Sequence, residues 1–179
     1  YFVDAFDAFM APGLTTYKEK TFKSIDAADM ELPDVEPAET AESEEDQVTV
    51  DSDQIEKLIE RFKTLLGEKV TDVRTTDRLS SSPMRLVQPE EGGNSAMSRL
   101  YRYVEQNYEV PKRIVELNPK NQIIANLATL EAQEGENPLV ELSIQQLYDT
   151  ALLQEGLHPN PAEMVPRLNE LVEKATAGA

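Results

Sequence analysis

A chain of 179 residues with 40% hydrophobic content can bury one moderate core, and no stretch approaches the roughly 20 consecutive apolar residues of a membrane span. Its formal charge of -17 and pI near 4.4 exclude nucleic acid as a natural partner, because phosphate contacts need Lys and Arg. The absence of cysteine removes disulfide frameworks, thiolate zinc sites and cysteine nucleophiles together, which suits a reducing cytoplasm. No basic and apolar leader precedes a small-residue cleavage site, and the opening Tyr1-Phe2-Val3, without Met, reads as part of something longer.

The charge is unevenly spread. Residues 1–56 carry 16 acids and 3 bases, residues 57–120 carry 9 and 12, and residues 121–179 carry 9 and 2. From Glu31 to Glu56 there is no base, and prolines stand at 33 and 37, the pattern of a solvated, self-repelling linker. The expected organisation is a junction over residues 1–30, an acidic linker over 31–52 and a folded domain over 53–179.

In chain order, Asp4 can cap a short helix carrying Phe6, Phe9 and Met10, stopped by Pro12-Gly13. Thr21 to Ile25 alternates like a short strand. After the linker, Asp51 or Ser52 caps a helix with Ile55, Leu58, Ile59, Phe62, Leu65 and Leu66 at helical spacing, closed by Gly67. Lys69 to Thr75 and Met84 to Val87 read as strands joined through the Ser80-Ser81-Ser82-Pro83 turn, and Lys112 to Leu117 as a third. Between the second and third strands, a helix is expected over about Asn94 to Gln106.

The last third is helical. Asn118-Pro119, Asn137-Pro138 and Asn160-Pro161 each place an N-cap before a proline suited to the first helical position. The apolar faces that follow are Ile123, Ile124, Leu127 and Leu130; then Leu139, Leu142, Leu147, Tyr148, Ala151 and Leu152; then Met164, Leu168, Leu171 and Val172. Pro166 would forfeit a hydrogen bond in a helix interior, so the last helix is either kinked there or begins near it. The final two helices form a hairpin that buries its faces poorly alone, and a twofold partner would complete a four-helix bundle. Those two faces, with Leu147, Tyr148, Ala151, Leu168 and Leu171 at the centre, are the expected dimer interface. The expected fold is α+β: a small three-stranded sheet covered by helices, then this hairpin.

No catalytic, cofactor-binding or metal-binding constellation is expected. The single histidine, His158, stands between Leu157 and Pro159 in a loop and reads as a loop or capping residue. Serines 80, 81 and 82 lack a recognisable partner base, and Gly92-Gly93 is not a phosphate loop. The acidic segment itself could bind a basic partner, which would make the chain an acidic adaptor. The stripe of Met97, Leu100, Tyr101 and Val104, flanked by Arg99 and Arg102, fits either an ordinary core face or a surface that adapts to many partners; spacing alone favours core.

The run Leu65-Leu66-Gly67-Glu68-Lys69-Val70-Thr71-Asp72-Val73-Arg74, followed by Arg78-Leu79-Ser80-Ser81-Ser82-Pro83, resembles a signature of the heat-shock protein 90 family of chaperones. Ile114-Val115-Glu116-Leu117-Asn118-Pro119 is similar to a second family motif, and Gln146 to Leu153 with Arg167 to Leu171 looks like its two dimerisation helices. The resemblance runs from about Asp4 to Lys174 and points to the carboxy-terminal domain of a bacterial, HtpG-like member. Pro166 departs from the family's last helix.

That resemblance implies a homodimer through the last two helices and no catalytic activity, since the family's ATP and magnesium site lies in an amino-terminal domain not present here. It also implies contact between non-native client proteins and Met97, Leu100, Tyr101 and Val104. The ending Thr176-Ala177-Gly178-Ala179 lacks the acidic tail of eukaryotic cytosolic relatives, in keeping with the bacterial branch.

Overall fold

The computed structural model of the chain describes residues 16–21, 50–89, 109–134 and 137–177. The helices expected near residues 4–11 and 94–106, residues 31–49 of the acidic linker and most of the strand expected over 21–25 lie outside them. A small hairpin opens the described part, with β1 (Thr16–Tyr17) antiparallel to β2 (Lys20–Thr21). Its two turn residues, Lys18 and Glu19, both have positive φ (48° and 63°), matching the twist of the flanking strands without a glycine.

Helix α1 (Ser52–Leu66) forms as its sequence dictates. The Asp51 carboxylate accepts from the Asp53 N–H at 2.9 Å, Asp53 and Lys63 complement the helix dipole at either end, and Leu58, Phe62 and Leu66 face inward. Gly67 ends it at φ 50° and ψ -125°, a conformation open essentially to glycine alone. A Cβ there would meet nothing within 4 Å, so the requirement is conformational and not one of space. A single 3-10 turn (Gly67–Lys69) leads into β3 (Val70–Thr75).

β4 (Met84–Val87) and β5 (Arg113–Leu117) complete a three-stranded mixed sheet of order β3-β5-β4. The two strands expected to follow one another through the serine turn are therefore not neighbours. β5 inserts between them, parallel to β3 and antiparallel to β4. Central placement explains why β5 is almost wholly buried, its charged Arg113 and Glu116 included.

Three further helices follow: α2 (Gln122–Glu134), α3 (Pro138–Gln154) and, after a 3-10 turn at Pro161–Glu163, α4 (Met164–Ala177). The core is one cluster joining Leu58, Phe62 and Leu66 of α1, Val73, Leu86, Val115 and Leu117 of the sheet, Ile124, Leu127 and Ala128 of α2, and Val140, Ile144, Tyr148, Ala151 and Leu152 of α3. The α+β architecture with a terminal helical hairpin is the one expected from the sequence.

Several local expectations are corrected. Asn118-Pro119 does not start a helix: Asn118 is buried and closes a turn, its Oδ1 accepting from the Lys120 N–H at 3.0 Å, and α2 begins at Gln122 with Asn121 Oδ1 accepting from the Ile123 N–H. Asn118 and Asn121 also donate to the carbonyls of Leu79 (3.2 Å), Ser82 (3.1 Å) and Ser81 (2.7 Å), so they hold the serine loop onto the end of the sheet. Ile123, grouped by spacing with Ile124, Leu127 and Leu130, is 48% exposed. In α3 the core stripe runs through Val140 and Ile144, with Leu139 and Leu142 only half-buried. Asn137 and Asn160 do cap as expected, accepting from the N–H groups of Leu139 and Ala162. α4 starts at Met164, which places Pro166 in the first turn, where a helix has no partner for the missing N–H.

Candidate self-association surface

The apolar residues of α4 divide by face. Val165, Leu168 and Val172, at i, i+3 and i+7, form one stripe and are 52%, 47% and 55% exposed. Single exposed hydrophobes need no explanation, but three aligned on one helix, with Leu153 exposed at the end of α3, mark an unburied face. Leu171 is half-buried and Met164 buried.

The expected interface residues thus fall into three groups. Tyr148, Ala151, Leu152 and Met164 are buried in the subunit's own core, Tyr148 with its hydroxyl donating to the Lys69 carbonyl at 3.2 Å. Leu139, Leu142, Leu147 and Leu171 are half-buried, Leu147 against the core. Leu168 and Val172 are open, and Val165 and Leu153 join them although the sequence reading left both out. Their missed signal was the heptad-like spacing of Val165, Leu168 and Val172. Met97, Leu100, Tyr101 and Val104 lie outside the described residues.

The stripe is presented by a polar cluster between α3 and α4. Arg167 donates from Nη1 to Gln145 Oε1 at 3.2 Å, from Nε to Gln146 Oε1 at 3.3 Å, and from Nη2 to Asp149 Oδ2. The other Asp149 oxygen stands 3.6 Å from His158 Nε2. His158 is buried, and its Nδ1 accepts from the Asn160 N–H at 3.2 Å, so the histidine does serve the loop and its cap. Asp149, His158 and Arg167 line a cleft of about 330 Å³ together with Lys69, Leu152 and Glu163.

A second polar cluster crosses the sheet. The register sets Arg74, Glu116 and Arg85 side by side on β3, β5 and β4. Glu116 is nearly fully buried; one carboxylate oxygen takes Arg74 Nε and Nη2 at 3.0 and 2.7 Å, the other Arg85 Nε and Nη2 at 2.7 and 2.6 Å. Burial by itself pushes this carboxyl's pKa up, but the hydrogen bonds and charges of the two guanidinium groups outweigh it and hold the pKa below the ordinary carboxylate value. The sequence signal, overlooked, was the set of opposite charges carried by the three strands, Arg74, Arg85 and Glu116.

Among the described residues no group of three or more His, Asp or Glu stands where it could hold a metal ion, and no helix is long and apolar enough to cross a membrane. The family model described as Hsp90 protein matches residues 1–178. The chain belongs to the Hsp90 family. It is 34% identical over 173 residues to the chaperone protein HtpG of Chlorobium phaeovibrioides, 35% identical over 182 residues to that of Oleidesulfovibrio alaskensis and 36% identical over 176 residues to that of Chlorobaculum tepidum. These matches cover 97%, 98% and 97% of this Hsp90-family chain but 27%, 28% and 27% of the relatives, so the chain spans little more than a quarter of their length.

Proposed function

We propose that this chain is the carboxy-terminal dimerisation domain of a cytoplasmic, HtpG-type chaperone and that two copies join through α3 and α4 as a four-helix bundle. Membership of the Hsp90 family supports a chaperone role. The observation that carries the dimer reading is the unburied stripe of Val165, Leu168 and Val172 on a helix whose other face is already docked. A twofold pairing of these stripes, with Leu153 and the half-buried Leu139, Leu142 and Leu171 beside them, is isologous and closes on itself. A stable interface of this kind buries about 1,200 Å² or more in total. Sedimentation equilibrium over a dilution series is expected to give twice the 20.1 kDa chain mass at low and high salt alike, and no phosphate should be released from ATP. A persistent single-chain mass would overturn the reading, and salt-sensitive capture of a basic partner by such a monomer would favour an acidic adaptor.

In the same proposal the stripe of Met97, Leu100, Tyr101 and Val104 contacts exposed apolar segments of non-native clients. Flexible Met and amphipathic Tyr suit weak, sequence-tolerant binding. Replacing Met97, Leu100 and Tyr101 together by Ser is expected to weaken binding to a reduced, unfolded model protein about tenfold or more, the scale of removing one or two anchor side chains. The dimer mass should stay unchanged. Unaltered client affinity would assign that stripe to structure alone.

A further inference from the structure

Helix α4 has little apolar attachment to its subunit: Met164 is buried and Leu171 half-buried, while every other residue from Val165 to Ala177 except Arg167 is exposed. Arg167 compensates with one guanidinium spread over three acceptors of α3. Positions 145, 146 and 149 belong to adjoining turns of that helix, so the three bonds fix both the angle and the rotation of α4. The contacts form a ring: Asp149 also faces His158, His158 accepts from the Asn160 N–H, and Asn160 caps the 3-10 turn that runs into α4 and donates to Glu163 Oε1 at 3.0 Å.

We infer that Arg167 is the positioning residue of α4, a polar latch that sets how the Val165, Leu168 and Val172 stripe is presented for self-association. The latch stands on contacts within one subunit; only its effect on affinity rests on the dimer reading above. The chemistry requires arginine, because its planar fork presents five N–H donors in fixed directions, whereas a lysine ammonium keeps the charge and loses the fork. At 18% exposure the Arg167 side chain sits at a rim, outside the core cluster that joins the sheet and α1.

The chain has no cysteine, so spin labels placed at Gln154→Cys on α3 and Glu173→Cys on α4 report one intrasubunit distance when diluted with unlabelled protein. A narrow distribution is expected for the parent, and a broad one for Arg167→Met and Arg167→Lys, both of which retain the aliphatic stem. Asp149→Asn, which keeps the shape and drops the charge, should broaden it as well and serves if an Arg167 variant fails to fold. The dimer dissociation constant should rise about tenfold or more in each, since a presented face that is no longer pre-organised binds less tightly. Distributions as narrow as the parent's in the Met and Lys variants would overturn the proposal and give the seating of α4 to Met164 and Leu171. A parent that is monomeric at all concentrations would remove the dimer reading, while the distance measurement would still decide the latch.

Discussion

Leu168→Asp is expected to split the proposed dimer into 20.1 kDa subunits at concentrations where the parent is paired. Leu168 is 47% exposed and belongs to no core contact cluster, so the substitution should change subunit stability within about 0.5 kcal/mol, as surface changes usually do. Across a twofold interface the same change removes an apolar anchor from each subunit and leaves two carboxylates facing a dry contact without partners. Hot-spot losses of about 2 kcal/mol or more per site then raise the dissociation constant by at least about 100-fold. Sedimentation equilibrium reads the mass, and urea unfolding of the monomer reads the fold. An unchanged mass with an intact fold would remove α4 from the interface.

Glu116→Ala is expected to produce the largest loss of subunit stability among polar substitutions in the described residues. Its carboxylate is 4% exposed and takes four donor contacts, and its removal leaves two guanidinium groups on the sheet without their acceptor. Breaking a fully buried pair costs about 3–5 kcal/mol. Here the Arg74 and Arg85 side chains are 41% and 30% exposed and can recover water, so about 2 kcal/mol is the expected loss, measured by urea unfolding. A loss below about 0.5 kcal/mol, the surface level, would show that the pair contributes nothing net.

The same residue sets a pH dependence whose sign follows from its depressed pKa. The unfolded chain takes up the proton at higher pH than the folded one. The stabilisation is therefore complete above the unfolded carboxyl value and is lost as pH falls through the folded value. Glu116→Gln, neutral throughout, should show a flatter fall in stability over that acid window than the parent.

Local signals were read well where local physics decides. Asp51, Gly67, Asn137 and Asn160 act within one turn of their own position, and their capping roles follow from side-chain reach and backbone preference. Pairing was not legible in the same way. Nothing in Val70 to Thr75 or Met84 to Val87 says that β5 will separate them, because register and strand order are settled by which faces the helices cover. The core face of α3 was not legible for a related reason: Leu139, Val140, Leu142, Ile144 and Leu152 spread apolar side chains around its circumference, and periodicity cannot choose among them.

The amino-acid sequence by itself determined most of the described secondary elements from Ser52 onward, the absence of cysteine chemistry, and the motifs around Gly67, Ser82 and Asn118 through which the Hsp90 family is visible. Tertiary structure alone decided which faces of the hairpin are buried. Burial of Tyr148, Ala151, Leu152 and Met164 withdraws them into the subunit core and leaves Val165, Leu168 and Val172 exposed. It also converts Arg167, one of only two basic residues after Lys120, from a surface charge into the contact that orients α4. The reason is geometric: a helix carries apolar residues on a face by sequence, but which face meets solvent depends on the neighbours it docks against.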